Sequence, residues 1–210
     1  MPINMLSESP IIFALWALAI ILGITVHEFS HALAGKLLGD NTADDAGRLT
    51  LNPLAHIDIM GFIMLLLIGF GWGKPTPFNP YNLKYQKFGP TMVGLAGPLS
   101  NFLIVLLCTF FIKMLSGYLT SNNLLVIFLH LSLLINLALM IFNLIPIPPL
   151  DGSSIVLTLL PYKFQNIKNF LETQGPIILI GLVLADSFLG LNFFSSIITF
   201  FSRHVTNWLM

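Results

Sequence analysis

The sequence predicts an all-α, polytopic membrane protein, and three observations carry that prediction. Mean hydropathy is +0.88. Only 9% of the 210 residues are charged, where a soluble globular chain carries roughly 25%. Apolar runs recur at 10–26, 59–73, 89–112, 123–150 and 173–202, and a helix needs about 20 such residues to cross a hydrocarbon core about 30 Å thick. No polar stretch is long enough to fold separately, so residues 1–210 read as a single membrane domain with its core at about 10–160. Zero net charge gives no electrostatic case for a nucleic-acid partner. Cys108 is the only cysteine, which excludes an intrachain disulfide.

The elements follow in order. A first helix is expected over 10–38, ending where Gly39 and the polar DNTADDAGR intervene. The segment before it, MPINMLSESP, has no Lys or Arg, and no small-residue cleavage site is evident, so this helix is expected to be retained. Residues 54–72 are apolar but interrupted by His56, Asp58, Gly61, Gly69 and Gly71. The loop GWGKPTPFNPYNLKYQKFG, with three lysines, comes next. Helices are expected at about 89–116 and 124–144, after which the three prolines of NLIPIPPLDG preclude a regular helix. A short helix at 152–160, a polar link over 161–174 and a last helix at about 175–201 complete the chain.

Loop charge orients the bundle. Lys36 and Arg48, then Lys74, Lys84 and Lys87, then Lys163 and Lys168 mark loops that belong in the cytoplasm. The N-terminus is then outside. If 54–72 crossed the membrane, the three-lysine loop would land outside; if it enters and returns, every basic loop stays inside. Glycines and polar groups in that segment fit a re-entrant element whose backbone is covered by protein or water. Four full spans with a re-entrant piece are expected, within a range of four to six.

The stretch HEFSH sits in the first helix and holds two of the five histidines and one of the three glutamates. His27 and His31, four apart, share one helix face and can present two imidazoles to one zinc ion, with Glu28 beside the water such a site activates. The competing interpretation, two interfacial histidines at a helix end, must also explain Glu28 at a depth where a charge costs about 2.5–3.5 kcal/mol. A catalytic zinc usually takes a third protein ligand. Candidates near apolar segments are His56, Asp58, His130, Asp151 and Asp186. Asp151 follows the proline-broken stretch, which can turn its carboxylate inward, a reading that spacing puts modestly ahead of the alternative, an N-cap for 152–160.

HEFSH together with NLIPIPPLDG resembles the site-2 protease family of intramembrane zinc metalloproteases, in its short bacterial and archaeal form. That family pairs HExxH with a downstream N-x-x-P-x-P-x-x-D-G element, here Asn143, Pro146, Pro148, Asp151 and Gly152. GPLSN (Gly97, Pro98, Asn101) is similar to the family's GPxxN, and LNPLAHID and GWGKPTPFNPYNL are similar to stretches of its short members. Ile59 departs from the proline that many members carry there. The resemblance implies one zinc held by His27, His31 and Asp151, and Glu28 as catalytic acid and base.

Asn143 is consistent with a role at the oxyanion or the substrate backbone, or with an amide stabilising the broken helix. Asn101 either serves the site or cements helix packing beside Gly94 and Gly97. His56 and Asp58 either support the ligands or cap the re-entrant segment, and His130 is expected to hydrogen-bond another helix. His27 lies about 25 Å along its helix from residue 10, within the membrane but nearer the cytoplasm. The expected partners are the lipid bilayer and the transmembrane segment of a membrane-protein substrate, with a homo-oligomer also open. An extended substrate can add as a strand to an edge supplied by 73–88, which would form a small β-hairpin. The expected location is the plasma membrane of a bacterium or archaeon. The rival is a membrane metal transporter using the same three ligands; transporters tend to carry repeats with paired broken helices, and one broken helix is visible here.

Overall fold

The computed structural model describes residues 2–68, 71–190 and 192–209. Its helices are α1 (Pro2–Glu8), α2 (Pro10–Leu37), α3 (Thr42–Asp45), α4 (Ile59–Ile68), α5 (Gly89–Leu115), α6 (Leu124–Asn143), α7 (Ser153–Leu159), α8 (Gln165–Leu189) and α9 (Phe193–Leu209). Among the described residues four helices are long and apolar enough to cross a bilayer: α2, α5, α6 and the stretch Tyr162–Asp186 that includes most of α8.

α2, α5 and α6 pack on one another to make the core. The faces of α5 show which solvent shaped it. Its buried side carries Gly94, Gly97, Ser100, Asn101, Cys108 and Thr109, while Leu99, Leu103, Leu107 and Phe110 are more than half exposed. That arrangement is inverted for water and correct for lipid, where small and polar residues hold helices together and large apolar ones face hydrocarbon. Deeper in the same interface Val105, Cys108 and Ile112 meet Leu133 and Leu137, and Val205 of α9 packs against this cluster.

α4 is ten residues long, about 15 Å of helix and about half a hydrocarbon core. The chain on either side of it meets itself: Ile57 and Gly73 form an antiparallel bridge, and the Lys74 N–H donates to the His56 carbonyl at 2.8 Å. The segment therefore returns to the side from which it came. Gly61 makes the return possible, because a Cβ there would collide with the Trp72 backbone. Asp58 caps this helix, its Oδ1 accepting from the Gly61 N–H at 2.7 Å.

Two expectations are corrected. The small β-hairpin is reduced, among the described residues, to the single Ile57–Gly73 bridge. Residues 74–79 form a strap outside any strand or helix, since Pro75 and Pro77 remove the amides a ladder needs. The last helix is not continuous over 175–201 either. α8 begins at Gln165, absorbing most of the polar link, and stops at Gly190, whose φ of 62° is left-handed. Asn192 also has positive φ, and α9 starts from Phe193 and packs against α5 and α6.

Candidate metal centre

His27 and His31 lie on the buried face of α2, only 6% and 7% exposed. Asp151 reaches them from the turn between α6 and α7. That turn is stapled at its base by the Gly152 N–H, which donates to the Asn143 carbonyl at 2.7 Å. Glycine is required there, since a Cβ at 152 would strike the Leu144 carbonyl. Gly94 lets the following residues dock, its α-carbon facing the Ser154 hydroxyl and the Asp151 carbonyl. The Thr91 hydroxyl fastens them through the Ser154 carbonyl at 3.0 Å and the Thr158 hydroxyl at 2.8 Å.

The three donor atoms form a small triangle. His27 Nε2 lies 3.1 Å from His31 Nε2, and Asp151 Oδ2 lies 3.1 Å from His27 Nε2 and 3.3 Å from His31 Nε2. The hydrogen bonds behind the rings place a proton on each Nδ1. The Ser132 carbonyl accepts from Asn136 Nδ2 at 2.8 Å, so Asn136 Oδ1 faces Asn101 and accepts from its Nδ2 at 2.8 Å. Asn101 Oδ1 is then left to accept from His27 Nδ1 at 2.6 Å. The Val93 carbonyl, which can only accept, takes the Nδ1 proton of His31 at 2.7 Å. With each Nδ1 donating, each ring in its neutral form turns an Nε2 lone pair toward a carboxylate oxygen.

Asp151 Oδ2 is buried and has no hydrogen-bond donor. Three electron-rich atoms packed this closely repel one another unless a cation sits among them. Their separations of 3.1–3.3 Å come within about 0.3 Å of the edges of a tetrahedral zinc site, where bonds of about 2.0–2.1 Å set ligands about 3.3–3.4 Å apart. The donor set thus fits zinc. Among the described residues His27, His31 and Asp151 are the group of His, Cys, Asp and Glu side chains able to hold a metal.

α5 closes one wall. A Cβ at Gly97 would fall 2.5 Å from His27 Cε1 and closer still to His31 Nε2, so only glycine leaves room for the rings. Pro98 supplies no amide to the Gly94 carbonyl, loosening the helix beside the Val93 carbonyl that His31 uses. Glu28, next to His27 in the chain, is half-buried. Its Oε2 accepts from the Thr76 N–H at 2.9 Å, and its main-chain carbonyl accepts from the Thr76 hydroxyl at 3.1 Å.

Of the other expected site residues, Asn143 turns its side-chain Nδ2 to its own helix, donating to the Leu139 carbonyl at 3.0 Å. His56 is fully buried, Nε2 donating to the Thr50 carbonyl at 2.8 Å, and with Asp58 it stands at the base of the re-entrant segment, outside the donor triangle. His130 bonds the Val126 carbonyl one turn earlier in α6 rather than another helix. Asp186 lies on α8, outside the triangle. The sequence left Asn101 open and gave no role to Val93, Asn136 or Thr76. Only Thr76 carries a local signal, as the one non-proline between Pro75 and Pro77.

The model of peptidase family M50 matches residues 112–185, which include Asn143 and Asp151. A protein of Bacillus subtilis (strain 168) named "Putative zinc metalloprotease YwhC" is 37% identical over 173 residues, 79% of this chain and 78% of its own length. A protein of Mycolicibacterium smegmatis (strain ATCC 700084 / mc(2)155) named "Putative zinc metalloprotease Rip2" is 29% identical over 143 residues, 63% of this chain and 52% of its own length. No solved structure matches the chain.

Proposed function

The chain belongs to peptidase family M50, and we propose on that premise that it is an intramembrane zinc metalloprotease of the site-2 type. Its substrate is the transmembrane segment of another membrane protein, and its location the plasma membrane of a bacterium or archaeon. The observation that carries this reading is the triangle of donor atoms from His27, His31 and Asp151, within 3.3 Å of one another, with Glu28 adjoining it in the chain.

His27 and His31 would hold the zinc through Nε2 and Asp151 through Oδ2. When bound, the zinc supplies a Lewis acid that makes water a nucleophile near neutral pH and polarises the scissile carbonyl. The residues of the chain do the rest. Asn101 and Val93 fix both ring tautomers, so neither ligand reorganises during the reaction. Asp151 contributes the one negative charge of the ligand set. Glu28 takes the proton from the attacking water and returns it to the departing amine, a shuttle worth about 10²–10⁴ in rate. Asn143 keeps its backbone in the Asp151 turn, and its amide would reach a substrate by leaving Leu139.

A substrate helix hides its peptide carbonyls in hydrogen bonds, so cleavage requires local unwinding, which Gly, Pro or polar residues in the substrate favour. An apolar cavity of about 290 Å³ between α2, α4 and α6, lined by Trp16, Ile20, Ile24, Phe62, Trp72 and Leu139, gives an unwound segment an apolar surface to lie on.

The test is cleavage of a panel of single-pass membrane segments by the reconstituted protein, with metal content measured alongside. Glu28→Gln should keep the metal and lose cleavage. Activity that survives Glu28→Gln would remove the mechanism, and metal movement across the bilayer without cleavage would favour a transporter.

A further inference from the structure

We propose that Thr76 is the positioning residue for Glu28, its backbone N–H fixing the carboxylate that shuttles the proton. The proposal rests on the protease reading above and concerns how that site is held ready.

The strap around Thr76 has few donors to give. Pro75 and Pro77 have no N–H, and the Lys74 N–H is bonded to the His56 carbonyl. Over residues 75–77 the amide of Thr76 is therefore the one backbone donor, and it goes to Glu28 Oε2 at 2.9 Å. The same residue's hydroxyl bonds the Glu28 main-chain carbonyl at 3.1 Å, so Thr76 grips both ends of the glutamate. Pro77 holds Thr76 extended and Pro75 restricts its own φ, which limits how far the amide can swing.

The strap is tied down on both sides of Thr76. Before it lie the Ile57–Gly73 bridge and the guanidinium of buried Arg48, which donates to the Lys74 carbonyl. After it the Asn79 N–H donates to Asp40 Oδ2 at 2.7 Å, and the Lys84 N–H to the Leu38 carbonyl at 2.7 Å. A long, flexible acid is thus held at one oxygen by a rigid mount, which leaves Oε1 to exchange the proton. Supporting groups of this kind are what keep a catalytic constellation within its working geometry.

The sequence makes a clean experiment available. Thr76→Pro extends an already proline-bounded strap and deletes both the amide hydrogen and the hydroxyl; Thr76→Val keeps that hydrogen and deletes only the hydroxyl, so the difference between the two reads the amide. In the zinc-loaded, reconstituted protein Thr76→Pro should lower kcat roughly 10- to 100-fold with KM and zinc content held. Thr76→Val should lose less, and Thr76→Ser should restore the activity that Val loses. Wild-type kcat in Thr76→Pro at equal zinc content would overturn the proposal. Should Thr76→Pro fail to fold, amide hydrogen exchange decides: Glu28→Ala should speed exchange at Thr76 roughly tenfold relative to Lys74, and equal rates would overturn it. A wild type that cleaves nothing would count against the protease reading, while the exchange comparison still judges the Thr76–Glu28 contact.

Discussion

The two sides of the metal centre are built in opposite ways. His27 and His31 stand on one uninterrupted helix of 28 residues, and their spacing alone brings them together. Asp151 stands on a turn whose prolines forbid a helix, and its place depends on tertiary staples: Gly152 to Asn143, Thr91 to Ser154 and Thr158, and the close approach at Gly94. A helix supplies two candidate ligands through its own folding. A turn supplies one and needs neighbours to hold it. Changes on the helix side should therefore act through the rings and their hydrogen bonds, and changes on the turn side through docking.

The largest effects come from the donors themselves. Asp151→Ala removes the one anionic ligand and should abolish zinc retention and cleavage together. Glu28→Gln should lose about 10²–10⁴ in rate while zinc content, measured by elemental analysis, stays near one per chain. A shared loss of metal in both variants would erase the distinction between ligand and proton shuttle.

Next comes the wall both sides share. Gly97→Ala places a methyl against both imidazoles, and overpacking of this kind costs about 1–3 kcal/mol. Competition with a chelator should show weakened zinc binding and denaturation a lowered midpoint. Unchanged zinc affinity would mean that α5 does not close on the rings as described.

Smaller effects separate the two constructions. Asn101→Ala frees His27 Nδ1 and breaks the chain that runs to Ser132, so zinc affinity should fall about 10- to 100-fold. Thr91→Val acts on the turn side alone; losing its hydrogen bonds should cost about 1 kcal/mol, seen as lower stability and only slightly weaker zinc binding. Equal effects from the two would contradict the comparison.

The smallest is a pH effect outside the membrane. Burial pushes the Asp40 carboxyl up, but hydrogen bonds from Thr42, Asn79 and Asn82 outweigh it and hold its pKa below the ordinary value. A carboxyl lowered by folding adds stability above its unfolded pKa, and that stability is lost as pH falls through the folded value. Asp40→Asn should therefore cost stability at neutral pH and flatten the acid limb of a stability profile.

Much of this was legible in the sequence, for reasons that differ by element. α2, α5 and α6 fall within a residue of expectation, because in lipid a long apolar run bounded by Gly, Pro or polar residues can satisfy its backbone only as a helix. The return of 54–72 to its starting side was legible through loop lysines. The break at Gly190 was not, since one glycine in an apolar run marks a helix end only when φ turns positive there. The approach of His27 and His31 was legible because four residues make about one helical turn. Asp151 needed a family resemblance, because turn chemistry and ligation ask for the same residue. Val93 was invisible for a plainer reason: it acts through a carbonyl that every residue carries.

The central claim is that His27, His31 and Asp151 hold one zinc, and X-ray absorption at the zinc edge of the purified protein tests it most directly. The account predicts one zinc per chain in a nitrogen and oxygen shell at about 2.0–2.1 Å, with outer scattering from two imidazoles and none from sulfur. It also predicts loss of that signal in Asp151→Ala. A protein that binds no zinc, or binds it through one imidazole or none, would contradict it.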